Sequence, residues 1–179
     1  MHENTLVILK PDGYERALTG QILSRFERSG LRLEEIRISQ DEDDIIDEHY
    51  PRSEEWLRVV GGKTLSDYEK LGVSPVDRLG TDDALEIGRM VRGWLIGFMK
   101  SGSIVPMRLS GNRAIETVRK LVGHTLPVTA TPGTIRGDFS SDSPDLANDE
   151  RRPVKNLVHA SGDPEEADRE IKLWFPKSR

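Results

Sequence analysis

The stretch Thr5-Leu6-Val7-Ile8-Leu9-Lys10-Pro11-Asp12-Gly13 decides how the chain begins to fold. Its first five residues are apolar or β-branched, which is typical of a strand buried on both faces of a sheet. Pro11-Asp12-Gly13 then brings turn chemistry, so we expect the strand to end at Lys10. The sequence therefore places a cationic side chain at the end of a buried strand.

Outward from this strand, the spacing of apolar residues predicts alternating helices and strands. Core-facing helices are expected at residues 19–30, 84–100, 114–122 and 164–173, and further strands at residues 31–38, 103–109 and 156–159. In residues 31–38 the alternation slips by one residue, as it does at a β-bulge. With the helices before the third strand taken as an insertion and the last helix following the fourth strand, the order is βαββαβ. This order predicts an α+β, ferredoxin-like antiparallel sheet with helices on one face.

Two regions interrupt this order without forming a second domain. Residues 53–88 have a helical pattern broken by glycines and prolines, and we interpret them as an excursion inserted before the third strand, too short to have its own core. Residues 124–155 form a long loop rich in Pro, Gly, Asp and Ser, and such loops are usually functional or disordered. We expect residues 1–179 to form a single domain.

Composition excludes several classes of protein. The chain has 179 residues, no cysteine and a net charge of -5. Thiolate chemistry, disulfides and cysteine zinc sites are therefore excluded, and no global basic field favours nucleic acid or an anionic membrane. No signal peptide or membrane span is evident, so we expect a cytoplasmic protein. The acidic stretch at residues 41–47 predicts the start of a short surface helix. Its acidic run at residues 41–44 is expected to be a solvated helix start and not a metal site.

Among the four histidines, His159 stands out by its position. It ends a short apolar strand and is followed by the small residues Ala160 and Ser161, so its ring can project into a cleft. His49, in contrast, is expected on an acidic surface helix. A histidine at a strand end is more often structural than catalytic, and His159 alone does not decide the function.

Several cations stand near His159 in the expected fold. Lys10 ends the first strand, Arg119 lies on a core helix, and Arg136 follows the turn Pro132-Gly133-Thr134. In a βαββαβ sheet these segments come close together, and arginine forks bind phosphate oxygens in pairs. Thr125 and Asn156 add neutral hydrogen-bonding groups. The alternative is that each cation is an ordinary solvated surface residue.

Several motifs in order resemble one family. Asn156-Leu157-Val158-His159-Ala160-Ser161, with Glu170 eleven positions after the histidine, is similar to the active-site signature of nucleoside diphosphate kinases. Residues 5–13 resemble the first strand of that family, residues 18–27 its first helix and residues 132–139 one of its loops. The resemblance covers most of the chain outside residues 53–88 and 140–152, and several motifs in the same order make it specific.

The resemblance implies an enzyme that moves a phosphoryl group from a nucleoside triphosphate to a nucleoside diphosphate through a phosphohistidine. It implies that His159 is the nucleophile, that Glu170 orients its ring and that Tyr50 lies nearby. It also implies phosphate or ribose contacts from a second set of residues: Lys10, Arg89, Arg119, Thr125, Arg136 and Asn156. Arg92 competes with Arg89 for one phosphate contact. Mg²⁺ is expected to be held mainly by the nucleotide phosphates, and the family implies a homo-oligomer, a hexamer or a tetramer.

This sequence departs from the family pattern at the nucleoside site. An aromatic that stacks on the base is missing near Val91, and Trp56, Tyr68 or Trp94 could replace it; for Trp94, helical spacing favours core packing. Gly62-Lys63-Thr64 is similar to the end of a phosphate-binding P-loop but lacks its first glycine.

Three interpretations of the function follow. They are an active kinase, a nucleotide-binding homologue with weak turnover, and a nucleic-acid-binding module on the same framework. The acidic balance and the scarcity of aromatics on the strands disfavour the third.

Overall fold

Four strands form one antiparallel sheet in the order β2-β3-β1-β4. The structure, a computed structural model, describes residues 2–40 and 42–177. The strands are β1 (His2–Leu9), β2 (Arg32–Ile36), β3 (Val105–Asn112) and β4 (Val158–Ala160). A shift of register between Leu33 and Glu35 places a bulge in β2, where the sequence predicted one. The predicted α+β class and strand order are confirmed.

Ten helices and one 3-10 turn connect and cover these strands in the described residues. They are α1 (Pro11–Glu15), α2 (Thr19–Arg28), α3 (Asp43–His49), α4 (Glu54–Leu71), α5 (Pro75–Leu79), α6 (Ala84–Met99), α7 (Ala114–Val122), the 3-10 turn Pro127–Thr129, α8 (Ile135–Phe139), α9 (Pro144–Asp149) and α10 (Pro164–Trp174). Within this described part, each helix is too short or too polar to cross a lipid bilayer.

Strand β1 separates two apolar clusters because its side chains alternate between the faces of the sheet. Val7 and Leu9 pack with residues of α2 and α7, as expected for a ferredoxin-like fold. Leu6 and Ile8 pack on the other face with residues of α3, α6 and α10. Helices therefore cover both faces, and the prediction of helices on one face only was incomplete. The cause is visible in β1, since a strand with apolar residues on both faces needs cover on both.

Short helices replace several predicted turns. Pro11-Asp12-Gly13 opens helix α1, because proline suits the first helical position and its fixed φ fits a helix. The loop at residues 124–155 contains the 3-10 turn, α8 and α9. The acidic helix begins at Asp43, and Asp41, where the prediction began, lies outside the described residues.

The region predicted as an excursion, residues 53–88, contains α4, α5 and the start of α6, and α4 touches α6 at two glycines. A Cβ atom placed on Gly88 would lie 2.1 Å from the carbonyl oxygen of Leu57, and one on Gly61 would lie 1.8 Å from that of Ala84. These distances are too short for any side chain, so the two backbones pack directly against each other. Glycine therefore fixes the position of α4 on α6, and through α6 on the sheet.

Replacing Gly88 by alanine should separate these helices. We expect the free energy of unfolding of Gly88→Ala to fall by about 1–3 kcal/mol, as overpacking usually costs. The matched control is Gly93→Ala on the same helix, where an added Cβ meets no atom within 4 Å and should stabilise the helix by up to about 1 kcal/mol. Urea unfolding measures both. Equal midpoints for the two variants would contradict the close contact.

Candidate active site

A cleft of 290 Å³ opens where the ends of β1 and β4 meet helices α3, α4 and α7. It is lined by all the predicted site residues except Arg89: Lys10, Tyr50, Arg119, Thr125, Arg136, Asn156, His159 and Glu170. The sheet explains this convergence, because antiparallel pairing sets Ile8 of β1 opposite His159 of β4. Segments far apart in sequence thus meet at one end of two neighbouring strands.

His159 is held through one of its two ring nitrogens. Its Nε2 lies 3.0 Å from each carboxylate oxygen of Glu170, on helix α10. About a fifth of the side chain stays exposed, at 18%. With Nε2 bound to a carboxylate, a neutral ring carries its proton there and Nδ1 keeps a free electron pair. The arrangement therefore prepares Nδ1 for nucleophilic chemistry.

Glu170 is a buried carboxylate with several partners. Besides His159, it accepts a hydrogen bond from Ser161 Oγ at 2.7 Å, and the guanidinium of Arg169 lies 3.6 Å away. Burial alone would raise its pKa, but the charge and hydrogen bond of His159, with smaller contributions from His49 and Ser161, lower the pKa to about 2. Glu170 therefore stays ionised. The sequence analysis assigned no role to Ser161 beyond its small size.

His49 is the residue that the sequence analysis placed wrongly. It is buried, and its ring meets that of His159 edge to face with centroids 4.5 Å apart. Trp174 Nε1 donates a hydrogen bond to His49 Nδ1 at 3.2 Å. Burial lowers the pKa of His49 to about 3, so the ring is neutral near pH 7. The signal was the spacing from Ile46, three positions earlier on the same buried face of α3.

The contact between α3 and α6 determines the positions of Tyr50, Arg89 and Arg92. Tyr50 is buried in the cleft wall, its ring 4.8 Å from that of His49, and burial raises its pKa. Arg92 donates to the carbonyl oxygens of Tyr50, at 3.0 Å, and Asp47, at 2.8 Å. Arg92 thus joins α6 to the end of α3. Arg89 is exposed on α6, and neither arginine lines the cleft.

Lys10 begins a chain of hydrogen bonds along the floor of the cleft. Its Nζ donates to Asn156 Oδ1 at 2.7 Å, and Asn156 Nδ2 donates to the carbonyl oxygen of Thr125 at 3.0 Å. Burial and the nearby charge of Arg136 lower the pKa of Lys10 to about 8. A bound anion would favour the charged form of this lysine.

The two predicted phosphate-binding arginines sit in different surroundings. Arg136 is buried and donates to three carbonyl oxygens, those of Gly123, Asn156 and Val158, at 3.0, 3.1 and 2.6 Å. Burial, with the charge of Arg119, lowers its pKa to about 10. Arg119 is exposed at the mouth of the cleft. Arg136 therefore also holds the backbone before His159, whereas the guanidinium of Arg119 is accessible from solvent.

The backbone before His159 is strained. Leu157 has a φ of 68°, and Val158 N donates to the carbonyl oxygen of Asn156 at 2.7 Å across it. Such a conformation costs about 1–3 kcal/mol in a residue with a side chain. Lys10 N and the carboxylate of Asp12 bind the peptide groups of Leu157, at 2.8 and 3.0 Å. This turn delays β4 to Val158, two residues later than the sequence predicted.

One group of possible metal ligands occurs among residues 2–40 and 42–177. Ligand atoms of His49, His159 and Glu170 lie within 4.8 Å of one another. Each of these side chains already has a partner within the group or in Trp174 and Ser161. Two nitrogen ligands also suit Mg²⁺ poorly, since it prefers oxygen.

Comparisons with known proteins decide the family. The family model described as nucleoside diphosphate kinase matches residues 3–57 and 87–179. The chain belongs to the nucleoside diphosphate kinase family. Residues 58–86, which the family model leaves out, cover most of α4, all of α5 and the first turn of α6.

The similar proteins match this chain over nearly its whole length. A nucleoside diphosphate kinase of Pyrobaculum aerophilum is 54% identical over 173 residues, covering 97% of this chain and 94% of the relative. A crystal structure of an NDP kinase from that organism superposes with a TM-score of 0.94, at 51% identity, over 99% of this chain and 97% of the other. A nucleoside diphosphate kinase of Borrelia burgdorferi, solved with vanadate and ADP as a transition-state mimic, superposes with a TM-score of 0.75 at 33% identity, over 97% and 87% of the two chains.

The enzyme is therefore a nucleoside diphosphate kinase, which transfers a phosphoryl group from a nucleoside triphosphate to a nucleoside diphosphate. This is the first of the three interpretations drawn from the sequence.

Acid should unfold this protein partly through His49. Its pKa lies below the unfolded value of 6.5, at about 3, so the unfolded chain binds the extra proton between these values. The free energy of unfolding should consequently fall as the pH drops from about 6.5 to 3. His49→Asn should flatten this dependence by up to one proton, measured by urea unfolding across the pH range. His124→Asn, an exposed control, should keep the wild-type slope, and an unchanged slope in His49→Asn would contradict the assignment.

Proposed function

We propose that His159 is the nucleophile of the phosphoryl transfer. Its Nδ1 attacks the γ-phosphorus of a nucleoside triphosphate, the bond to the bridging oxygen breaks, and the nucleoside diphosphate leaves with that electron pair. A second nucleoside diphosphate then attacks the phosphohistidine and leaves as the triphosphate. The contact between His159 Nε2 and Glu170 carries this proposal, because it fixes the tautomer that leaves Nδ1 nucleophilic.

Histidine suits this reaction on energetic grounds. Exchanging one phosphoanhydride for another changes the free energy little, so the intermediate must keep its phosphoryl group at high transfer potential. A P–N bond to imidazole meets this requirement, whereas a serine phosphate ester would trap the group. As the ring becomes phosphorylated it gains positive charge, and the ionised carboxylate of Glu170 would stabilise that charge.

The cations of the cleft would bind the phosphates. Lys10 and Arg136 both have lowered pKa values because they are buried near other positive charges, and polyphosphate oxygens would relieve that repulsion. Arg119, exposed at the cleft mouth, would contribute an accessible fork to the transferring group. Thr125 and Asn156 would bind neutral oxygens of the nucleotide, and Tyr50 would pack beside the histidine pair.

Mg²⁺ would reach this site with the nucleotide. Within the described cleft, Glu170 binds His159 and Ser161, and Glu166 accepts from Gly162 N at 2.5 Å, so both carboxylates already have partners. Phosphate oxygens would then supply most of the ligands, and the ion would neutralise charge on the β- and γ-phosphates. A location in the cytoplasm and a homo-oligomer, hexamer or tetramer, stay predictions from the sequence and the family.

Labelling with γ-phosphate-labelled ATP tests the nucleophile. We expect wild type to form an acid-labile, alkali-stable phosphoenzyme that discharges onto added GDP, because a P–N bond behaves in this way. His159→Ala should form none, and the control His124→Ala should label like wild type. If His159→Ala still labels and discharges, another residue is the nucleophile.

The two arginines should respond differently to truncation. Arg119→Ala should lower kcat by about 10²-fold with little change in the melting temperature, since the side chain is exposed. Arg136→Ala should lower both, because three carbonyl oxygens lose their donor. Steady-state kinetics and thermal unfolding measure these effects. Equal losses of melting temperature in both variants would contradict the structural role assigned to Arg136 alone.

A further inference from the structure

One acidic side chain beside the cleft has no part in the proposed chemistry. Asp12 is the second residue of α1, and its Oδ2 accepts a hydrogen bond from Leu157 N at 3.0 Å, across 145 positions of sequence. Its other oxygen, Oδ1, is buried and has no hydrogen-bond partner among the described residues. A buried polar atom without a partner costs free energy. A carboxylate kept at this cost points to a role for its one long-range contact, the bond to Leu157.

The contact with Leu157 holds a strained turn. The φ of Leu157 is 68°, a left-handed conformation that a residue with a side chain keeps only where its surroundings impose it. The segment that follows β1 binds Leu157 on both sides: Asp12 binds its N–H, and Lys10 N binds its carbonyl oxygen at 2.8 Å. Asp12 and Lys10 therefore hold this turn against the end of β1.

The turn sets where the strand of the proposed nucleophile begins. Strand β4 has three residues, Val158–Ala160, which pair with residues 7–9 of β1. So short a strand has few ladder hydrogen bonds to fix its direction, and His159 lies two residues after Leu157. Relaxation of Leu157 to a negative φ would redirect the chain as it enters β4 and move the ring of His159 relative to the cations of the cleft. A displacement of about 1 Å can cost about 10²-fold in rate.

Asp12 also supplies negative charge to the cationic side of the cleft. Burial raises the pKa of its carboxyl group, and the charge of Lys10 opposes that rise. In return, the charge of Asp12 opposes the lowering of the pKa values of Lys10 and Arg136 that burial causes. Substitution can separate the charge from the hydrogen bond, because asparagine keeps an oxygen acceptor for Leu157 N without the charge, and alanine keeps neither.

We propose that Asp12 is a positioning residue for the phosphoryl transfer, which holds the turn at Leu157 and thereby directs Nδ1 of His159 into the cleft. This inference rests on the proposed role of His159 as the nucleophile. Asp12 does not line the cleft, so it acts through the backbone and not on the substrate. Glu170 determines which ring nitrogen of His159 is free, and Asp12 determines where the backbone places that nitrogen.

The test measures how fast the full-length protein forms its phosphoenzyme. A single-turnover reaction with γ-phosphate-labelled ATP is followed at saturating ATP, so that altered binding does not affect the rate. Asp12→Ala removes the acceptor and the charge, and Asp12→Asn removes the charge alone. The matched control is Asp83→Ala, which removes an aspartate that caps α6 by accepting from Glu86 N at 2.9 Å and lies outside the cleft lining.

We expect Asp12→Ala to slow labelling by about 10²-fold and Asp12→Asn to label within about threefold of wild type, because its amide oxygen still binds Leu157 N. Asp83→Ala should lower the melting temperature by about 2–4 °C, as the loss of a helix cap does, and should label like wild type. Thermal unfolding checks that each variant is folded. If Asp12→Ala is not, Asp12→Ser takes its place, since serine suits the start of a helix and carries its oxygen one bond closer to the backbone, away from Leu157 N.

Three results would overturn the proposal. They are labelling of Asp12→Ala at the wild-type rate, labelling of Asp12→Asn as slow as that of Asp12→Ala, and an equal slowing in Asp83→Ala, which would reduce the effect to lost stability. Absence of labelling in wild type would instead overturn the role of His159 as the nucleophile, and this inference with it.

Discussion

The rest of the site depends on the hydrogen bonds that hold the buried carboxylate of Glu170. An ionised group out of water is costly unless several donors compensate it, and here His159 and Ser161 do so directly. His49 covers the other side, with its ring edge to face against the rings of His159 and Trp174. The same contacts that keep Glu170 charged set the tautomer of His159. Stability and chemistry therefore rest on one arrangement of side chains.

The cationic side of the cleft is arranged in the opposite way. Lys10, Arg119 and Arg136 bring positive charges together, and the two buried ones have pKa values of about 8 and 10. The carboxylate of Asp12, Asn156 Oδ1 and backbone carbonyl oxygens compensate part of this charge. A bound anion would balance the rest. The cleft therefore has a direction, from the ionised carboxylate of Glu170 beneath the histidine to the cations above it.

The sequence predicted the frame of this site well because that frame depends on local pattern. The run at Thr5–Leu9, the strand ending in His159 and the helices between them follow from apolar period, and their order fixes which strand ends meet. His49 was predicted on the surface because acidic residues surround it in the sequence. It is buried because its helix packs against Trp174, a contact between distant parts of the chain. The sequence analysis did not place helices on the second face of the sheet. Helices α3, α6 and α10 lie there because they cover Leu6 and Ile8, which is a tertiary contact that local pattern does not show. Arg89 was assigned to the site by alignment across an insertion, which fixes no helical phase, and the structure places its side chain outside the cleft lining.

Helix α4 is connected to His159, the proposed nucleophile, by a short series of contacts. Gly61 and Gly88 hold α4 on α6 without side chains between them, and Arg92 of α6 holds the carbonyl oxygens of Asp47 and Tyr50 at the end of α3. His49 is the last residue of that helix, and its ring meets that of His159 edge to face. Movement of α4 would therefore reach His159, the proposed nucleophile, through three steps: the backbone contact at Gly61 and Gly88, the hydrogen bonds of Arg92, and the ring contact between His49 and His159. The helix that the family model leaves out for most of its length is thus rigidly joined to the proposed nucleophile, and this rigidity requires glycine at two positions.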